Sequence, residues 1–148
     1  MKVQKSKIDD SWMVFVIEPS DGNYDVHEKL FEEFGIAYAL LENKIIFIDG
    51  KRFEEQRLTQ HHQLAIEAHE IGHFISDHKG LINKSLEEME KEADWAAYRI
   101  LTDMKKNKAV SLIAARFKDA YEQDIKEYEI KPSTRLKIEN FINETKVV

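Results

Sequence analysis

The segment AIEAHEIGHFISDH, residues 65–78, places titratable side chains inside an apolar pattern of helical period. Apolar residues recur along one helical face here, namely Leu58, Leu64, Ala68, Ile71 and Ile75. This spacing predicts a helix from about Glu54 to Asp77 that Gly80 stops. Residues four apart on a helix project from the same face, so the rings of His69 and His73 can converge on one cation.

Glu70 follows His69 directly and is rotated from it by about 100° around the helix axis. Its carboxylate therefore lies beside a cation held by the two histidines and can accept a proton from a bound water, which is the position of a general base. The chain contains no cysteine, so its metal ligands must be His, Asp or Glu side chains. His-Glu-x-x-His on a helix is the pattern of zinc metallopeptidases.

A catalytic zinc ion held by two imidazoles needs a third protein ligand and an open fourth position. The next helical segment contains EKEAD, residues 90–94, in which Glu90 and Asp94 are again four apart. We expect Glu90 to ligate the metal and Asp94 to accept the second N–H of a metal-binding histidine. Glu92 is the competing ligand, and the four-residue spacing to Asp94 favours Glu90.

HEIGH followed after 16 residues by EKEAD resembles the gluzincins, which are zinc peptidases with a glutamate ligand on a helix after the His-Glu-x-x-His helix. The resemblance covers roughly residues 60–142. It is nearest to the HtpX and CAAX-prenyl-protease type, and the ImmA/IrrE group, which cleaves repressor proteins, is the near alternative. It implies a minimal peptidase domain acting on a protein or peptide substrate. In that domain Zn²⁺ is held by His69, His73 and Glu90, with Glu70 as the base and Asp94 behind the ligands.

A second class of function stays open beside peptide hydrolysis. The chain can also be read as a zinc-bound module that captures a partner, such as a repressor, without cutting it. A Glu70→Gln variant that keeps its metal separates the two, because only hydrolysis needs the carboxylate as a base.

The whole chain, residues 1–148, predicts a single α+β domain in which a small sheet of about three strands packs on a bundle of about five helices. The predicted strands are residues 12–17 and the two arms of a hairpin over residues 36–50. Four helices are predicted besides the helix of residues 54–77. The first ends at Gly35, and the next covers residues 83–104, where Ser85 and Glu88 have capping-box spacing. The others cover residues 109–128 and the segment from Pro132 to about Ile142.

Charge and hydropathy exclude two classes of partner. The net charge is −6, and the lysines are interleaved with acids, so the chain lacks the concentrated basic surface that nucleic acid requires. No apolar run is long enough to cross a bilayer or to serve as the core of a signal peptide. We therefore expect no nucleic-acid partner, no membrane span and a cytoplasmic location.

The surroundings of the site give three further hypotheses. The strand Lys44–Ile48 precedes the metal-binding helix and lies either paired inside the sheet or at the sheet edge, where an extended substrate would add as another strand. Arg135, one turn into the last helix, is expected to stabilise the oxyanion of the transition state, with Lys131 and then Tyr98 as the next candidates. His78 is expected to be structural or to act as a cation at the helix C-terminus, because the chain lacks the residues that a third histidine ligand would need after His73.

Overall fold

The computed structural model describes residues 1–76 and 84–145, which form an α+β fold. Its four strands are β1 (Lys2–Lys5), β2 (Met13–Ile17), β3 (Ala37–Leu40) and β4 (Ile45–Asp49). Its six α-helices are α1 (Tyr24–Phe34), α2 (Gly50–Glu55), α3 (Gln60–Ile75), α4 (Leu86–Asp103), α5 (Asn107–Tyr121) and α6 (Pro132–Thr145). The predicted fold class is therefore confirmed, with one strand and one helix more than expected. In the part of the chain that the structure describes, no helix is both long and apolar enough to cross a bilayer.

The additional strand is β1, which pairs antiparallel with β2 at one edge of the sheet. All four of its side chains are exposed. A strand that buries no side chain carries no alternation of apolar and polar residues, so hydropathy gave no signal for it.

The hypothesis that residues 44–48 lie at the sheet edge is wrong. The strand order is β1-β2-β4-β3, so β4 lies inside the sheet between a parallel neighbour, β2, and an antiparallel one, β3. Ile46 and Ile48 are fully buried. The connection from β2 through α1 inserts β4 next to β2 and leaves β3 at the edge, a choice of pairing that the order of elements in the chain does not reveal.

The predicted hairpin is present as β3 and β4 joined by the 3₁₀ turn Leu41–Asn43. Lys44 closes this turn in the left-handed region, with φ of 55°. The turn brings β3 back along β4 in antiparallel register, so that Tyr38 lies opposite Phe47.

The single helix expected over residues 54–77 is two helices, α2 and α3. Arg57 interrupts the helical path with φ of 55°. Two residues later the Thr59 side chain accepts a hydrogen bond from the His61 N–H at 3.2 Å, and the Thr59 N–H donates to His62 Nδ1 at 3.0 Å. This reciprocal cap starts a new helix at Gln60, because it satisfies backbone donors that have no partner within the helix.

The helix α3 occupies the centre of the molecule. On one side its buried residues pack with Val14, Ile46 and Ile48 of the sheet, and on the other with α4, α5 and α6 in the same core cluster. The opposite face of the sheet is covered by α1, whose Phe31 packs with Ile17 and Tyr38. A helix held on both sides keeps its side chains in fixed positions, and α3 is the helix that carries the His-Glu-x-x-His residues.

Candidate metal centre

His69 and His73 converge as their four-residue spacing predicts. The two Nε2 atoms are 3.2 Å apart, and the rings meet edge to face with centroids 4.7 Å apart. The His69 side chain is 10% exposed and the His73 side chain is 15% exposed. The pair is therefore fixed at the boundary between the core and an open cleft.

Glu90 of α4 completes a three-donor set with these rings. Its Oε2 lies 3.1 Å from His69 Nε2, and its Oε1 lies 3.2 Å from His73 Nε2. Ligand atoms around a tetrahedral zinc with bonds of about 2.0–2.1 Å are separated by roughly 3.3 Å. The distance between the two rings, and the distance from each ring to one of the two Glu90 oxygens, are therefore close to the separation that zinc imposes on its ligands.

The charge on Glu90 is maintained by the same contacts. Burial alone would raise the pKa of its carboxyl, but the hydrogen bonds with His69 and His73 outweigh burial and lower the pKa well below its usual range. Glu90 is therefore a carboxylate at neutral pH, which is the form that binds a cation.

Asp94 lies behind His69, one helical turn after Glu90. Its Oδ1 is 2.7 Å from His69 Nδ1, and the side chain is 1% exposed. This contact directs Nδ1 toward Asp94 and leaves Nε2 facing Glu90 and His73. A carboxylate in this position fixes the tautomer and the ring orientation of a metal-binding histidine.

Glu70 lies beside the two histidines. One donor atom from each of Glu70, His69 and His73 lies within 4.8 Å of the others, a grouping that could hold a metal ion. Glu70 Oε2 is buried and has no hydrogen-bond partner among the described residues. Burial raises the pKa of this carboxyl, which makes its carboxylate a stronger proton acceptor.

Arg116 of α5 lies beside Asp94 and His69, and the sequence did not predict it there. Its Nη2 lies 2.6 Å from Asp94 Oδ1 and 3.2 Å from His69 Nδ1. No spacing rule connects a residue on α5 with Asp94 on α4, so only the packing of the two helices brings these groups together. A lone arginine beside the apolar residues of an amphipathic helix carries no signal for such a role.

The residues expected to supply a cation lie elsewhere. The Arg135 guanidinium lies over the Trp95 ring, 5.3 Å from its centroid, and the Lys131 Nζ lies 3.3 Å from Glu88 Oε1. Neither lines the cleft beside the histidines. The oxyanion role of Arg135 stays a prediction, and Tyr98 packs against the main core cluster. His78 and Gly80 lie outside the described residues.

The competing acid, Glu92, is directed away from the histidines. It is 1% exposed, its Oε1 lies 2.9 Å from Lys84 Nζ, and its Oε2 accepts a hydrogen bond from the Thr134 hydroxyl at 3.3 Å. Because these partners come from the residue before the α4 cap and from α6, Glu92 helps to connect these parts of the chain. Glu90 is the α4 glutamate that the structure brings to His69 and His73.

A cleft of about 660 Å³ opens beside the histidines. His69, Glu70, His73, Glu90 and Arg116 line one part of it, and apolar side chains from the end of α1, from β3 and from the start of α4 line much of the rest. Phe34, Leu40 and Leu86 are 60%, 46% and 70% exposed at its margin. Large apolar side chains exposed around a cleft that also holds a few titratable groups are typical of a binding site.

No protein-family model, no curated protein and no solved structure matches this chain. Its relation to the gluzincins therefore stays a prediction from the two sequence motifs. In the centre itself, two imidazoles and one carboxylate converge, a second carboxylate lies behind one imidazole and a third lies beside them.

Proposed function

We propose that the chain is a zinc-dependent peptidase of the gluzincin type. The observation that carries the proposal is the convergence of His69, His73 and Glu90 at distances of 3.1–3.2 Å beside an open cleft, with the Glu70 carboxylate among them. Two nitrogen donors and one carboxylate are a ligand set of catalytic zinc, which keeps one position for water or substrate.

When bound there, zinc would acidify a water molecule and polarise the carbonyl of the scissile peptide bond. Glu70 takes the proton of the attacking water and later delivers it to the leaving amine. Its buried Oε2 has no partner among the described residues, so no hydrogen bond within that part of the chain competes for this lone pair. Asp94 holds His69 with Nε2 directed at Glu90 and His73, where the cation would bind.

The substrate in this proposal is an extended peptide that carries bulky apolar side chains. The strand β3 forms one edge of the sheet and lines the cleft, so its outer backbone groups are available to pair with a peptide strand. Phe34, Leu40 and Leu86 offer apolar surface beside that edge. The strand that receives the peptide is thus β3 rather than residues 44–48.

The test compares the parent protein with Glu70→Gln. An amide cannot accept the proton of the attacking water, so we expect the variant to keep its zinc and its fold while hydrolysis falls on the order of 10²-fold or more. Incubation with a denatured proteome, followed by mapping of new N-termini, measures cleavage and identifies the preferred side chains. Equal cleavage by both proteins would rule out Glu70 as the base. A parent protein that binds zinc and a peptide but generates no new termini would instead be the non-catalytic capture module.

A further inference from the structure

Arg116 lies at the junction between a buried carboxylate and the open cleft. Its side chain is 51% exposed, while Asp94, which it contacts, is 1% exposed. Among the described residues that line the cleft, it is the only lysine or arginine. The proposed function gives this residue no task, although it lies within hydrogen-bond distance of both Asp94 and His69.

Arg116 gives the Asp94 carboxylate a second hydrogen-bond donor. Both contacts of Asp94 converge on Oδ1, with His69 Nδ1 at 2.7 Å and Arg116 Nη2 at 2.6 Å, while Oδ2 is buried without a hydrogen-bond partner among the described residues. A carboxylate that accepts one hydrogen bond can still rotate about its χ2 angle. The second donor restricts that rotation, because guanidinium bonds are strong and directional.

The charges around His69 and His73 also favour a cationic side chain at this position. Glu70, Glu90 and Asp94 place three carboxyl groups around two imidazoles, and a divalent cation balances only two negative charges. Burying an unbalanced charge is costly. The guanidinium of Arg116 supplies the remaining positive charge on the side of His69 that faces away from Glu90.

We propose that Arg116 is a positioning residue of the metal centre, which holds the Asp94 carboxylate and thereby fixes the His69 ring with Nε2 toward the cation. The proposal rests on the metal centre of the proposed function and adds a residue that acts through Asp94 and His69. The proposal also predicts whether metal affinity rises or falls when Arg116 is replaced. Charge repulsion alone would make removal of the guanidinium strengthen metal binding, whereas loss of positioning weakens it.

The test measures binding of Zn²⁺ and Co²⁺ to the full chain by competition with a chelator of known affinity. We expect Arg116→Gln and Arg116→Met to bind both ions more weakly, by on the order of tenfold, as is usual when a hydrogen-bonded support behind a ligand is lost. Arg116→Lys keeps a charged donor for Asp94 and should recover part of this loss. The matched control is Arg99→Gln, which removes another partly buried arginine that pairs with Glu139 on α6 and should bind both ions like the parent.

A second readout is independent of activity and of affinity. In the zinc-loaded protein the His69 Nδ1 proton is expected to give a downfield NMR signal that exchanges slowly with water, because it is donated to a fixed, buried carboxylate. Arg116→Gln should broaden this signal or accelerate its exchange, and Arg99→Gln should leave it unchanged.

Unchanged or tighter metal binding by both neutral variants would overturn the positioning role, as would a parent protein that binds neither ion. Failure of the proposed function looks different. A parent protein that binds zinc, loses affinity when Arg116 is replaced and yet cleaves no peptide would retain the positioning role and refute the peptidase.

Discussion

Gly72 of α3 packs directly against the backbone of Ala93 in α4. A Cβ atom added to Gly72 would lie 2.6 Å from the Ala93 carbonyl oxygen and 3.1 Å from the Ala96 Cβ. The first of these distances is closer than a carbon and a backbone oxygen can approach without movement of one helix. The absent side chain therefore sets the spacing between the helix that carries His73 and the helix that carries Glu90.

Gly72→Ala is expected to destabilise the protein and to weaken its metal centre. The added methyl group meets backbone, which cannot turn aside as a side chain can, so α3 and α4 must separate. Overpacking of this kind costs roughly 1–3 kcal/mol. Urea unfolding measures the stability, and chelator competition measures the affinity for zinc.

The matched control is Gly22→Ala, because a Cβ at Gly22 meets nothing within 4 Å. This variant should differ little from the parent in either measurement. A Gly72→Ala protein with parental stability and zinc affinity would show that the contact between the helices does not set the geometry of the site.

Single replacements of His69, His73 and Glu90 by alanine should each abolish stoichiometric zinc binding, because each removes one of the three proposed protein ligands. Metal analysis of the purified variants checks this expectation. The control is Glu92→Gln, a change on the same helix at a glutamate directed toward Lys84 and Thr134. If Glu92→Gln lost the metal and Glu90→Ala kept it, the assignment of the third ligand would be wrong.

The metal-free protein should lose stability as the pH rises above neutrality. Burial alone would lower the pKa of His69, but its hydrogen bonds with Asp94 and Glu90 outweigh burial and raise the pKa from 6.5 to about 9. A pKa that is higher in the folded state means that folding favours the protonated ring. The resulting stabilisation is complete below pH 6.5 and disappears as the pH rises through about 9.

Unfolding by urea in the presence of a chelator, repeated across that pH range, measures this loss. His69→Gln should flatten the dependence, because it removes the titrating group. A metal-free parent protein whose stability rises between pH 6.5 and 9 would contradict the raised pKa of His69.

Polar replacements at the margin of the cleft should weaken substrate binding without unfolding the protein. Phe34 and Leu86 are 60% and 70% exposed, so Phe34→Ser and Leu86→Ser remove little buried surface. For apolar peptides we expect KM to rise severalfold with a smaller change in kcat, because in the proposed function these side chains would contact the substrate away from the reacting bond.

The control for these variants is Leu136→Ser on α6, where the leucine is 62% exposed and does not line the cleft. Its kinetics should match those of the parent. Parental KM values for both margin variants would remove the apolar margin from the proposed substrate site.

The amino-acid sequence determined the parts of this protein that depend on local spacing. The four-residue spacing of His69 and His73 is enough to make their rings converge, because the rise and turn of an α-helix are fixed by its own backbone hydrogen bonds. The same rule places Asp94 one turn from Glu90. Turn residues had equally local effects, since Gly35 ends α1 and a short polar turn joins β3 to β4.

Tertiary structure alone decided which separate elements meet. The position of β4 inside the sheet depends on its pairing with β2, and strands with similar hydropathy do not encode which neighbour they choose. The meeting of Arg116 with Asp94 depends on how α5 packs against α4, and the convergence of Glu90 with His69 and His73 depends on the close approach of α4 to Gly72. Interactions of this kind arise from complementary shapes and charges on surfaces far apart in the chain, and no periodicity within one segment records them.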